Sequence, residues 1–344
     1  MVLAIVLLVL LGISMLFNAS SFFETVLRGK GARYARTAGP RLDEVIYQDN
    51  DAANKIALID VDGIITGRSI DSSGVGLVEL IKAQLKRAEE DDRVRAVLLK
   101  VDSPGGEVLA SDEIYHAIAD FQSHTRKPVV ASMGSLAASG GYYISAPCRW
   151  IVANELTITG SIGVIMSSWN YRGLMDKVGV LPQTYKSGKY KDMLSGSREP
   201  DKITPEERAM LQALIDETFT KFKSVVQEGR DRAYEKNKNS KEKGRPLSDD
   251  WQNYADGRVL SGTEALKLGF VDQLGGFDDA VETTKRIAGI TNANLVQFQQ
   301  RYDLSDLFRL FGKTDSKAIK VDLGMEVPKL QAGKLYFLSP TFLH

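Results

Sequence analysis

Serine and lysine are two residue types in this 344-residue chain that could carry acyl-transfer chemistry, one as nucleophile and the other as base. Three glycine-rich turns follow strand-like runs: Asp102-Ser103-Pro104-Gly105-Gly106, Ser139-Gly140-Gly141 and Gly160-Ser161-Ile162-Gly163. Glycine lets backbone N–H groups come close to a ligand, although taken singly each such turn is more often only a tight connection. Lys186, Lys189 and Lys191 stand together in YKSGKYKDML. An ammonium group has an ordinary pKa near 10.4, so a lysine must be desolvated or set among donors before it can accept a serine proton near neutral pH. On composition alone these are solvated loop lysines. Spacing does not choose among them, nor between Ser135 and Ser139 as nucleophile.

Other chemistries have less support. Of three histidines, His116 lies in the helical run DEIYHAIADF, His124 in the polar connection QSHTRKP, and His344 is the last residue. None adjoins a glycine-rich turn, so a Ser-His-Asp triad is a weak reading. With no Walker lysine motif and no GxGxxG, phosphate binding has little support from motifs. Cys148 is the single cysteine and cannot form an internal disulfide, and no CxxC or Cys/His cluster suggests zinc. We expect no metal and no cofactor. Lys+Arg and Asp+Glu both number 44, which leaves no global electrostatic case for a nucleic-acid partner.

The elements that must position these residues alternate in type. Ile56 to Val61 reads as a strand, Leu77 to Ala88 as an amphipathic helix, and Val94 to Val101 as a buried strand. Leu109 to Phe121 is helical, Pro128 to Met133 extended, Ala138 to Ala146 a short helix and Trp150 to Ala153 extended. Strands alternating with helices imply βαβ units and a mostly parallel sheet, an α/β fold. Leu181 to Tyr185 is strand-like. Thr204-Pro205-Glu206-Glu207 opens the longest helix, with Thr as cap, Pro at the first helical position and Glu at N3. Its apolar positions Leu211, Leu214, Ile215, Phe219, Phe222 and Val226 recur at helical spacing and read as core or subunit contact. Arg230 to Arg245 is polar, and acids interleave its bases, so it reads as a solvated helix end and loop rather than a binding patch.

Five ordered blocks carry a resemblance: DSPGG at 102–106, MGSLAASGGYYIS at 133–145, TGSIGVIM at 159–166, KSGKYKDMLS at 186–195 and ADGRVLSGTEALKLGFVDQLGG at 255–276. Together they closely resemble signal peptide peptidase A in its short, single-module form. The resemblance implies the crotonase and Clp protease fold, a spiral of βαβ units. It also implies roles. Ser139, before the paired glycines, falls on the nucleophile, and Lys191, in the Lys-Asp pair, on the general base. Ser161 falls on the hydrogen-bond partner of that lysine. Gly106 offers its N–H to the oxyanion, with Gly140 as a second donor. Several subunits are expected to assemble into a ring or dome, both dyad residues coming from one protomer. The expected substrates are peptides, cleaved signal peptides foremost. Competing readings are a crotonase-type acyl-CoA enzyme, which needs neither Lys191 nor a membrane segment, a related protease acting on membrane proteins, and a catalytically dead scaffold, which the intact Ser139, Lys191 and Ser161 oppose.

Val2 to Phe17 reads VLAIVLLVLLGISMLF, sixteen residues without a charge. At 1.5 Å per residue it spans roughly 24 Å, short of the roughly 30 Å hydrocarbon core unless Asn18 to Phe23 extend it. We expect an N-terminal transmembrane helix in contact with membrane lipid; a cleaved signal peptide is the alternative. The expected organisation is an anchor over 1–24, a linker over 25–54, a protease domain over 55–290 and a tail over 291–344. Arg28, Lys30, Arg33 and Arg36 follow the apolar segment and by the positive-inside rule favour a cytoplasmic domain. The resemblance implies the reverse, a catalytic domain outside the cytoplasmic membrane, and that is the expectation adopted.

Overall fold

The computed structural model describes residues 40–67, 75–301 and 335–338. The apolar segment from Val2 to Phe17 lies outside them; among the described residues no helix is long and apolar enough to cross a membrane.

Most of strand β2 (Lys55–Asp62) and of β3 (Val94–Ser103) is buried, as befits strands covered on both faces. Side chains alternate between the two faces of the sheet. Ala57, Ile59, Val61, Val97, Leu99 and Val101 join one core, and Ile56, Leu58, Ala96 and Leu98 the other. Helices α1 (Leu77–Glu90) and α2 (Val108–Thr125) supply Ile81, Leu85, Ile114 and Ile118 to the first core. Helix α7 (Phe277–Ala288) brings Ala280 and Val281 to the second. Each fully buried aliphatic side chain contributes about 1.5–3 kcal/mol, so these two layers, rather than surface ion pairs, hold the fold.

The sheet order is β1 (Leu42–Gln48), β10 (Asn294–Gln300), β2, β3, β5 (Val129–Ala138), β6 (Trp150–Ala153), β9 (Gln273–Leu274). All neighbours on this path are parallel except β1 and β10. The upper part of β5 also pairs with β7 (Ile158–Gly160), which pairs antiparallel with β8 (Val259–Ser261). This is the largely parallel α/β sheet expected for a Clp-type protease. The sheet extends beyond the expected 55–290: β1 lies in the stretch read as linker and β10 in the stretch read as tail.

Helix α5 (Pro205–Asn237) is the long helix that the capping sequence announces. Thr204 Oγ1 accepts from the Glu207 N–H at 3.2 Å, and the Glu207 carboxylate accepts from the Thr204 N–H at 2.8 Å. Arg198 adds a 2.6 Å ion pair, and its guanidinium beside Glu207, with the Thr204 donors, holds that carboxyl down at about 2. The apolar stripe divides in two. Phe222 and Val226 are core, whereas Leu214 is 43% exposed.

Two local readings fail. No strand forms at Leu181 to Tyr185, where Leu181 and Tyr185 are 74% and 92% exposed: the run has no neighbour to complete its ladder. Arg230, read as the start of a solvated stretch, is wholly buried and bonded to Asp272 at 2.5 Å, because α5 continues to Asn237 with one face against the loop before β6. Gly229 makes that approach possible; a Cβ there would collide with the Ala146 carbonyl.

Candidate active site

Strand β5 ends at Ala138, and helix α3 (Gly140–Ser145) begins two residues later. Ser139 bridges them at φ +56°, ψ −117°, a conformation that costs a non-glycine residue about 1–3 kcal/mol and persists only where its surroundings enforce it. The enforcing contacts are visible. The Ser139 N–H donates to the Gly160 carbonyl at 2.8 Å, and the Ser139 carbonyl accepts from the Tyr143 N–H at 2.8 Å. Every residue of α3 is buried. Tyr143 donates its phenol to Asp112 at 2.6 Å, and Tyr142 donates to the Phe270 carbonyl at 2.9 Å.

This strand-turn-helix arrangement aims a serine out of a sheet at its C-terminal edge. The Ser139 Oγ is buried and, among the described residues, has no hydrogen-bond partner. Leaving a buried hydroxyl unpaired costs about 1–3 kcal/mol.

The two expected oxyanion donors converge on the same place. A methyl built at Gly140 would lie 3.1 Å from the Gly106 nitrogen, and one at Gly105 would lie 2.6 Å from the Gly140 nitrogen. Neither fits, which is why these turns are glycine. Gly105, at φ +100°, sits in the left-handed region as well. Ser103 shapes the turn by donating to the Gly63 carbonyl at 2.6 Å and accepting from the Gly105 N–H at 3.1 Å. Asp102, which the sequence reading left without a role, accepts from the Leu136 N–H at 3.1 Å and so ties the end of β3 to β5.

Ser161 also comes to the site. It follows Gly160, the acceptor of the Ser139 N–H, and is itself buried at φ +50°. Lys191 does not. It is exposed, in a run of turns from 187 to 194, and among the described residues its amine makes no hydrogen bond or ion pair. Its neighbours are engaged: Lys186 with Asp192 at 2.7 Å, and Lys189 with Glu206 at 2.8 Å. The single chain therefore brings Ser139, Ser161, Gly106 and Gly140 together and leaves Lys191 outside. Lys191 belongs to a segment whose large apolar side chains face water, among them Trp169 at 84% and Leu174 at 64% exposure.

One feature has only a short apolar run, Leu335 to Leu338, as its signal in the local sequence, and that run does not disclose its role. Strand β11 (Tyr336–Leu338) pairs antiparallel with β4 (Gly105–Glu107), Phe337 opposite Gly106, and bridges Ile165 on its other side. The Gly105 carbonyl and the Glu107 N–H are bonded to Ile65, so the Gly106 N–H faces the opposite edge, toward Phe337. A short extended segment thus lies along the oxyanion turn, its Phe337 ring packed 4.8 Å from Tyr143 and 4.6 Å from Phe222 between ring centroids.

Cys148 is buried, and burial pushes its thiol up to about 12. Thiol reagents are therefore expected to leave activity unchanged in the folded protein; rapid inactivation, lost in Cys148→Ala, would contradict this.

A Clp-type α/β fold with a buried serine on a strained turn beside converging N–H groups defines the class as serine peptidase. The sequence comparisons give the family. Residues 122–291 match the model of peptidase family S49, and residues 50–149 match that of Clp protease. A protein described as a protease in Synechocystis sp. is 42% identical over 236 residues, covering 69% of this chain and 75% of its own length. One described as a signal peptide peptidase SppA in Enterococcus faecium is 36% identical over 261 residues, covering 75% and 71%. Protease 4 of Salmonella typhi is 32% identical over 257 residues, 75% of this chain and 38% of its own length. The chain belongs to peptidase family S49.

Proposed function

We propose that this protein is a membrane-held endopeptidase in which Ser139 is the nucleophile and Lys191 the general base, and that it degrades cleaved signal peptides and similar hydrophobic peptides. The observation that carries the reading is the buried, unpartnered Ser139 hydroxyl on a strained turn beside the Gly106 and Gly140 N–H groups. The relative from E. faecium, named for signal peptide hydrolysis, supports the substrate class.

The base is supplied by assembly. Lys191 is the member of its lysine cluster left unpaired among the described residues, and it stands on an exposed apolar arm. Docking of that arm on a neighbouring copy buries the apolar side chains and carries Lys191 to the neighbour's Ser139 and Ser161. Leaving water is also what an ammonium needs before it can act as a base. In a head-to-tail arrangement each subunit gives a lysine and receives one, which closes a ring. This differs from a dyad within one protomer, the sequence expectation.

The substrate binds as an extended strand along β4, the seat held in this structure by residues 336–338. Ser139 Oγ attacks the scissile carbonyl carbon while its proton passes to Lys191 Nζ. Gly106 and Gly140 N–H stabilise the oxyanion, each worth about 3 kcal/mol in the transition state. Collapse expels the amine, which takes the proton from Lys191. Water then attacks the acyl ester, gives its proton to Lys191, and releases the acid as Ser139 is reprotonated.

Labelling with an activated serine-directed phosphonate tests the reading. One adduct per chain is expected, on Ser139, absent from Ser139→Ala; an adduct that persists in the variant refutes it. Location is tested separately. The catalytic domain is proposed to lie outside the cytoplasmic membrane, so residues beyond about 50 should be digested by protease added to intact spheroplasts; protection until lysis would reverse the orientation.

A further inference from the structure

Past the end of α3 remote from Ser139, helices α2 and α5 diverge and leave a cleft of about 400 Å³, whose wall includes Pro147, Arg149, Arg232 and Lys236. It continues into a hollow of about 290 Å³ lined by Arg126, Lys127, Arg149 and Lys236, with Gln122, Ser123 and Pro128. Four cationic side chains and no carboxylate line that hollow. Asp120 and Glu228 line only the larger cleft, and the Glu228 carboxylate accepts from Ser224 at 2.6 Å.

The cations come from three separate parts of the chain, so their gathering is a product of the fold and not of a local charge run. Arg149 is clamped. Its Nε donates to Asn237 at 2.5 Å and one Nη to the Lys236 carbonyl at 2.9 Å, while the buried Asn237 donates back to the Arg149 carbonyl at 2.8 Å. Both acceptors are neutral, so the guanidinium is held in place without a carboxylate partner among the described residues. Lys127 spends its amine on the Ala88, Glu89 and Asp91 carbonyls at the end of α1. Arg126, Arg149, Arg232 and Lys236 form no ion pair among the described residues. Arg126 also occupies a left-handed position, φ +60°, that glycine adopts more readily.

Burial, and after it the charges of Arg149 and Arg232, hold the Lys236 ammonium below its ordinary range, and burial does the same to Arg149. Crowded cations of this kind are stabilised by a bound anion. Arginine forks suit the paired oxygens of phosphate, and the hollow exceeds what the bare ion needs, leaving room for an ester substituent.

We propose that this hollow, between the C-terminal end of α2 and the last turns of α5, is a binding site for a phosphate-class anion, free or as a lipid headgroup. The site stands apart from the peptidase chemistry and does not depend on it.

The test uses the full chain in dodecyl maltoside micelles, which carry no phosphate, titrated calorimetrically with inorganic phosphate against chloride of matched ionic strength. Saturable binding of one phosphate per chain is expected, weakened at least tenfold in Arg126→Glu/Lys236→Glu and retained in Arg126→Lys/Lys236→Arg. Peptidase activity should be unchanged in both, which also reports that they fold. Repeating the titration in micelles containing phosphatidylglycerol separates the sources: competition assigns the site to a headgroup, and its absence to soluble phosphate. Phosphate heats equal to those of chloride, or undiminished binding by the Glu variant, would overturn the proposal.

Discussion

Ser139→Ala and Lys191→Ala are each expected to lower peptide hydrolysis by about 10⁴-fold or more, since the proposed dyad works only as a unit. An equimolar mixture of the two inactive variants, unfolded and refolded together, is expected to recover roughly a quarter of the wild-type rate. That fraction is the share of junctions in a random head-to-tail ring that join an intact serine to an intact lysine. Among the described residues the Ser139 hydroxyl is unpaired, and the same chain leaves Lys191 in water. A base that must be desolvated cannot remain on an exposed turn, and a segment showing water Trp169, Leu174 and Leu181 has a surface to bury. One docking event meets both needs. Ser135→Ala serves as the control: Ser135 is exposed within β5, ahead of the strained turn, and its loss should leave the rate unchanged. Turnover by a folded Ser139→Ala protein would end the nucleophile assignment. If the singles are dead and folded but the mixture stays inactive, the lysine does not cross between subunits.

What the sequence made legible follows the range of the interactions concerned. The strands and helices from Ile56 to Ala153 were readable because their apolar periodicity is local, and Thr204 with Glu207 announced a helix that the capping contacts then honour. Ser139 was legible by resemblance, its strain only in three dimensions: nothing in Ala138-Ser139-Gly140 states that the serine lies at positive φ until the Gly160 carbonyl is seen to hold its N–H. Contacts between distant segments were not legible. Arg230 sits in a charged run, and its partner Asp272 lies 42 residues away. The pairing of Tyr336–Leu338 with Gly105–Glu107 leaves no local pattern, because both segments are too short to show a period. The cationic hollow was hidden for a similar reason. Arg232 and Lys236 read as a solvated face with acids interleaved, and only the fold adds Arg126 and Arg149 to them.

The second large effect concerns stability. Asp272→Ala is expected to cost about 3–5 kcal/mol, against a total of about 5–15 kcal/mol for a domain, and to shift the urea midpoint accordingly. The Arg230 guanidinium is wholly buried, bonded to Asp272 at 2.5 Å and to the Cys148 carbonyl at 3.4 Å, with its Nε unpaired. Asp272 also accepts from the Ile151 N–H at 2.9 Å and the Arg245 N–H at 3.4 Å. Removing the carboxylate strands one buried charge and the Ile151 donor together. The single substitution should therefore be worse than the double substitution Arg230→Met/Asp272→Ala, in which no buried charge remains and the Ile151 and Arg245 N–H groups and a cavity are left. The ordering matters for the site, because Cys148 directly follows the Ala146-Pro147 connection at the end of α3, and Tyr142 of α3 is anchored to the Phe270 carbonyl two residues before Asp272. Loosening this pair loosens the floor beneath Ser139, so Asp272→Ala should lose phosphonate labelling at lower urea than the wild type. An Asp272→Ala protein destabilised by less than about 1 kcal/mol, or a double variant less stable than the single, would show that the pair is not what fixes α5 and β9 under the active site.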